Sequence, residues 1–167
     1  GCKPYIVAEM SGNHNHDLGR ALRIIDSAKA CGADAVKLQT YRADTITIDH
    51  HSDEFIVQGG LWDGRRLFDL YKDAHTPWEW HKPIFEHAQS IGMTVFSSPF
   101  DDTAVDFLET LGTPAYKIAS PELIDLPLIR KVAQTGKPIV MSTGAASFEE
   151  IEEAVQAARD AGATELI

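Results

Sequence analysis

Short apolar runs alternate along the chain with longer stretches of helical period, and a glycine marks the return from helix to run. Five such junctions are readable. Gly32 precedes Ala35-Val36-Lys37-Leu38-Gln39, Gly92 precedes Thr94-Val95-Phe96-Ser97, and Gly112 precedes Ala115-Tyr116-Lys117-Ile118. Gly136 then precedes Pro138-Ile139-Val140-Met141, and Gly162 precedes Glu165-Leu166-Ile167. Glycine just past a helix end takes the left-handed conformation without a Cβ penalty, so each junction predicts a helix-to-strand turn. Tyr5-Ile6-Val7-Ala8-Glu9 supplies a first strand. Helix starts agree. Thr76-Pro77-Trp78-Glu79 offers a capping Thr with Pro at the first helical position. Ser147-Phe148-Glu149-Glu150 is a capping box, and Asp102 and Asp125 are placed to cap the two helices between. In the last helix Ile151, Ala154, Val155 and Ala158 keep the helical period.

Regular strand–helix alternation predicts a parallel sheet with right-handed crossovers. A doubly wound sheet and an eight-unit (β/α)8 TIM barrel both satisfy it. The barrel is favoured for two reasons. No glycine-rich fingerprint follows the first strand, where a dinucleotide fold carries one. Polar residues instead stand at the carboxyl ends of all five complete strands, as in barrel enzymes. A whole barrel needs about 250 residues. Residues 1–167 are therefore expected to form one incomplete α/β barrel domain of five βα units, with a sixth strand beginning at Leu166.

The segment from Tyr41 to His75 breaks the rhythm, and a βα loop of that length is usually functional. Within it Arg66-Leu67-Phe68-Asp69-Leu70-Tyr71-Lys72 predicts a short helix. Composition narrows the partners. Fifteen basic against 25 acidic residues leave a net charge of −10. That balance argues against nucleic acid and anionic membranes, which require clustered Lys and Arg. No apolar run is long enough for a membrane helix. Cys2 and Cys31 form no framework, and free thiols in a reducing cytoplasm are the plain expectation.

Two lysines lie inside strands. Ala35, Lys37 and Gln39 share one face of the second strand, and Val36 and Leu38 the other. The apolar face suits the helical layer, which turns Lys37 inward. Lys117 repeats this arrangement, with Tyr116 and Ile118 outward. A buried ammonium is costly without an anion, and Glu9 near the end of the first strand can neutralise one. Ser97-Ser98, Ser120 and Ser142-Thr143-Gly144 surround the same face. Two cations, hydroxyls and nearby N–H groups make an anion site suited to a phosphate and a carboxylate. The plainer alternative is a structural Lys–Glu pair. Asn13, His14 and Glu122 add polar and acid–base groups at this rim, although Glu122 also suits a helix N-terminus. His14-Asn15-His16 and His50-His51 are weak metal motifs, and His75 and His81 are expected to face solvent. Trp62, Trp78 and Trp80 are expected to pack the long segment onto the helix that begins near Thr76, with a sugar wall as the alternative.

Several separated motifs then agree. Ala8-Glu9-Met10-Ser11-Gly12-Asn13-His14, Val36-Lys37-Leu38-Gln39-Thr40, Phe96-Ser97-Ser98-Pro99-Phe100-Asp101, Tyr116-Lys117-Ile118-Ala119-Ser120 and Met141-Ser142-Thr143-Gly144 occur in the order seen in the sialic acid synthase family. The chain resembles that family over essentially its whole length. Leu61-Trp62-Asp63-Gly64 and Thr76-Pro77-Trp78-Glu79-Trp80-His81 are more similar to its pseudaminic acid branch.

The resemblance implies a barrel synthase that condenses phosphoenolpyruvate with an open-chain N-acetylated amino sugar and releases phosphate. It implies that Lys37, Ser98, Lys117, Ser120 and Ser142 hold phosphoenolpyruvate, with Glu9 beside its reacting end. Asn13, His14 and Gln39 would line the sugar side, and Glu122 would handle protons or a sugar hydroxyl. It further implies a divalent metal, manganese or magnesium, whose histidine ligands lie on later strands outside this chain. No residue here is therefore assigned to metal. A C-terminal antifreeze-like domain and a swapped homodimer are expected of the full-length protein. From the residues alone, a Schiff-base aldolase using a strand lysine and a non-catalytic phosphosugar-binding barrel stay open.

Overall fold

The computed structural model describes residues 1–167. Five strands form one sheet: β1 (Val7–Glu9), β2 (Ala35–Thr40), β3 (Thr94–Pro99), β4 (Tyr116–Ile118) and β5 (Ile139–Met141). The helices are α1 (Leu18–Ala30), α2 (Ala43–Ile46), α3 (Leu67–Ala74), α4 (Trp78–Ser90), α5 (Asp102–Thr110), α6 (Leu126–Ala133) and α7 (Phe148–Asp160). All neighbouring strands are parallel, and their spatial order is their sequence order, β1 to β5. A doubly wound sheet needs a reversal of strand order, and none occurs here. Sequential right-handed crossovers instead put α1, α4, α5, α6 and α7 on one face, the winding of a barrel wall. Leu166 already pairs in parallel with Ile139, so a sixth strand begins beside β5.

The five junction glycines all have positive φ, from 67° at Gly92 to 105° at Gly162, as the helix-to-strand turns require. Ser147 closes a full capping box with Glu150, and Asp125 caps α6 by accepting from the Leu128 N–H. Two starts differ from expectation. Asp101, not Asp102, caps α5, because its carboxylate reaches the N–H groups of Thr103 and Ala104. Thr76 does not cap α4; its hydroxyl is taken by His14, and Pro77 stands before the first turn without a side-chain cap. The predicted short helix is α3, and the first strand is shorter than Tyr5–Glu9.

Two clusters on the helical side hold the sheet. Val36, Leu38 and Val95 pack under Ala21 and Ile25 of α1 and Ile84 and Ala88 of α4. Tyr116, Ile118 and Ile139 pack under α5, α6 and α7 through Val105, Leu108, Leu128, Ile129, Val132 and Ala154. Each such aliphatic side chain gains about 1.5–3 kcal/mol by burial. In β2, Val36 and Leu38 together outweigh anything Lys37 could gain on that side. Strand alternation then forces Lys37 and Gln39 to the opposite face.

The inserted segment is held together internally by charge. Arg66 meets Asp69 through two hydrogen bonds of 2.8 and 2.7 Å, and also binds Asp49 and His51. No helix is long and apolar enough to cross a membrane.

Candidate functional site

On the face opposite the helices, register brings the strand-borne polar residues into rows. Glu9 pairs with Lys37, Gln39 with Ser98, and Lys117 with Val140. The Lys37 ammonium forms an ion pair with Glu9 and lies 3.5 Å from the Ser98 hydroxyl, which is itself buried. Glu9 is further fixed by the N–H and hydroxyl of Ser11, at 3.2 and 2.9 Å. Lys117 donates to the Ile118 carbonyl at 2.7 Å. Burial, and then repulsion from Lys37, hold the Lys117 ammonium below the usual lysine range; Glu9 and Glu122 pull the other way. The two lysines lie on the face expected from strand alternation and are close enough to feel each other's charge.

The loops after β4 and β5 are tied to each other at the same end of the sheet. Ser120 Oγ accepts the Ala145 N–H at 2.8 Å, which leaves its own proton free for a ligand. The Ser142 N–H continues the ladder to the Ile118 carbonyl at 3.1 Å. Gly144 runs so close that a Cβ there would sit 3.4 Å from Ser120 Oγ. Glu122 lies on the short 3-10 turn after β4, with one carboxylate oxygen buried and unpartnered. Burial pushes its carboxyl above the usual range, and Asp125 adds to this, against the pull of Lys117. A half-buried acid with a raised pKa beside a depressed lysine is the pairing that proton-transfer sites use.

Asn13 and His14 lie elsewhere. His14 is fully buried; its Nδ1 accepts the His16 N–H, so Nε2 carries the proton donated to Thr76 Oγ1 at 3.0 Å. Its ring packs edge-on against Trp80, with centroids 5.5 Å apart. The expected place of His14 on the sugar side is thus corrected: it pins the β1–α1 turn to α4. Asn13 lines a separate cavity of about 710 Å³ between that turn and α3, together with His16, Arg20, Trp62, Arg65 and Asp73. Trp62 stands half exposed at this rim rather than packed on α4, while Trp78 stacks on Phe107 at 4.6 Å beneath the Arg42 guanidinium.

His81 is a second correction. It is fully buried, not solvent-facing, and it bonds Thr40, which in turn bonds Ser97. Burial lowers its pKa to about 4. The folded protein therefore resists a proton that the unfolded chain accepts near 6.5, so stability falls as pH drops from 6.5 to about 4. The loss should be about 3 kcal/mol. His81→Gln should remove that part of the acid sensitivity in denaturant melts at pH 7 and pH 4; an unchanged pH dependence would contradict the assignment. Asp101 was not singled out from the sequence beyond its place in a motif. Its second carboxylate oxygen is buried without a partner at the end of β3. The carboxyl end of a barrel strand was the available signal.

The model of the NeuB family matches residues 24–167. The chain belongs to the NeuB family. Among its relatives, a pseudaminic acid synthase from Helicobacter pylori is 48% identical over 93% of this chain and 46% of its own length. An N,N'-diacetyllegionaminic acid synthase from Campylobacter jejuni is 35% identical over 92% of this chain and 46% of its own length. The crystal structure of an N-acetylneuraminic acid synthetase from Leptospira borgpetersenii superposes with a TM-score of 0.85 at 28% identity, covering 99% of this chain and 53% of that one. This NeuB chain thus spans about half the length of the relatives it matches.

Proposed function

We propose that this chain is the phosphoenolpyruvate-binding part of a nonulosonic acid synthase of the pseudaminic acid type. The observation that carries the proposal is the Glu9–Lys37–Ser98–Lys117 group on the strand ends, in a chain 48% identical to pseudaminic acid synthase. The enol carbon of phosphoenolpyruvate bonds to the aldehyde carbon of an open-chain N-acetylated amino sugar, whose oxygen takes a proton. Water then adds at the cationic C2, and phosphate leaves with its bridging oxygen. Lys37 and Lys117 neutralise phosphate and carboxylate throughout, and the hydroxyls of Ser98, Ser120 and Ser142 complete the anion cradle. Glu122, kept protonated more readily than an ordinary glutamate, can give its proton to the new alkoxide. Gln39 lies beside Ser98 on the face where the sugar would meet the enol.

A divalent metal, manganese or magnesium, is part of this proposal, with ligands outside the chain. No three His, Cys, Asp or Glu side chains of this chain converge to hold one. A homodimer and a cytoplasmic location complete the proposal, the latter resting on two exposed free thiols.

The depressed Lys117 pKa favours one rival, a Schiff-base aldolase. Borohydride reduction in the presence of both substrates separates the two. The synthase leaves Lys117 unmodified; covalent capture on Lys117 would establish the aldolase.

The segment Tyr41–His75 supplies α3, Trp62, Arg65 and Asp73 to the cavity beside Asn13. Exchanging it for its N-acetylneuraminate-branch equivalent should change the preferred sugar and leave phosphoenolpyruvate affinity unchanged. Collapse of phosphoenolpyruvate affinity with no change in sugar preference would remove the segment from specificity.

A further inference from the structure

A fully buried chain of hydrogen bonds lies directly behind the anion site. Thr40, His81 and Ser97 are each wholly removed from solvent. His81 Nδ1 lies 3.2 Å from the Pro77 carbonyl, which can only accept, so Nδ1 carries the ring proton. Nε2 is then an acceptor, and it takes the Thr40 hydroxyl proton at 2.9 Å. Thr40 Oγ1 in turn accepts from Ser97 Oγ at 2.7 Å. The chain therefore has one direction, from β3 through β2 to α4, and every member is satisfied.

Its position is what matters. Thr40 follows Gln39 on β2, and Ser97 precedes Ser98 on β3, with Gln39 and Ser98 paired in register on the opposite face. Ser98 is the hydroxyl beside Lys37. The next pair along, Thr40 with Pro99, is the last of the β2–β3 register. At the end that carries the site, the side-chain chain ties the two strands together. On an otherwise aliphatic helical face, the two buried hydroxyls are tolerated because each is hydrogen-bonded.

We propose that His81 is a positioning residue for the anion site: through Thr40 and Ser97 it fixes the ends of β2 and β3, and so sets Ser98 against Lys37. The proposal rests on Lys37 and Ser98 being an anion site. It does not rest on the identity of the reaction.

Inorganic phosphate is the probe, titrated calorimetrically into the protein that carries this chain. Asparagine at position 81 keeps a donor for Pro77 but offers nothing where Nε2 accepts; glutamine places its amide oxygen near Nε2. His81→Asn should weaken phosphate binding about tenfold, within the coupling measured for residues of one network, and His81→Gln should restore it to within about twofold. In a Ser98→Ala background His81→Asn should have no further effect, because the hydroxyl it positions is gone. Additive losses, or glutamine behaving as asparagine does, would overturn the proposal, as would a wild-type protein that binds no phosphate. If His81→Asn does not fold, Thr40→Val breaks the same chain and is read by the same cycle. Phosphate bound normally, with none released from phosphoenolpyruvate and sugar, would defeat the synthase proposal and leave this cycle intact.

Discussion

Replacing Lys117 with methionine should raise the apparent KM for phosphoenolpyruvate about 10- to 100-fold, the value of a charge-assisted hydrogen bond of about 1.5–3 kcal/mol. The KM for the sugar should move far less. Methionine keeps most of the side chain's volume, so packing against the strands survives and the charge alone is lost. Lys117 is the better choice for this test because Lys37 already has Glu9 as a counter-ion, and its removal would leave that carboxylate unpaired. In Lys117 the ammonium is held by a backbone carbonyl, and its opposing acids act at longer range. A partly buried cation whose charge is disfavoured at rest gains most when an anion arrives. Steady-state kinetics with each substrate varied in turn would show this, and equal effects on both KM values would count against the role assigned to Lys117.

The second large effect concerns the sheet edges. Expressed alone, residues 1–167 should self-associate, melt without cooperativity and show no synthase activity. The β1 edge has no partner strand, and Tyr5, Ile6 and Val7 are 64%, 48% and 40% exposed beside it. At the other edge the pairing with β5 stops at Leu166 and a largely exposed Ile167. Unpaired backbone with apolar side chains alongside is a template for adding further strands. The core beneath is ordinary, so the liability lies in the edges rather than in weak packing. Ultracentrifugation with a thermal melt would decide it. A soluble monomer with one cooperative transition would contradict the expectation.

What could be read from the sequence was whatever depends on neighbours along the chain. The junction glycines, the Ser147 box and the Asp125 cap act over a few residues, and all appear where expected. The inward turn of Lys37 and Lys117 followed from alternation alone, since Val36, Leu38, Tyr116 and Ile118 claim the helical face. The misplaced residues are those whose surroundings come from distant segments. His81 sits on a helix between Trp80 and Lys82 and resembles a surface residue there. Its burial depends on Thr40, 41 positions away, and on Ser97 beyond it. His14 similarly depends on Thr76, 62 positions away. A usable signal existed. Thr40 and Ser97 share strand parity with Leu38 and Val95, so two hydroxyls on an apolar face required a polar partner from the helix above. The cavity that Asn13 lines carried no comparable signal, because it is made by the long segment folding back over the β1–α1 turn.

The most direct measurement uses phosphoenolpyruvate carrying heavy oxygen in the bridge between C2 and phosphorus. It is incubated with the protein that carries this chain, a divalent metal and an N-acetylated amino sugar. If the Lys37–Lys117 face serves a synthase, phosphate is released only when the sugar is present, and the label appears in that phosphate, because the C–O bond breaks. Release without sugar, label retained in the carbon product, or no phosphate at all would contradict it.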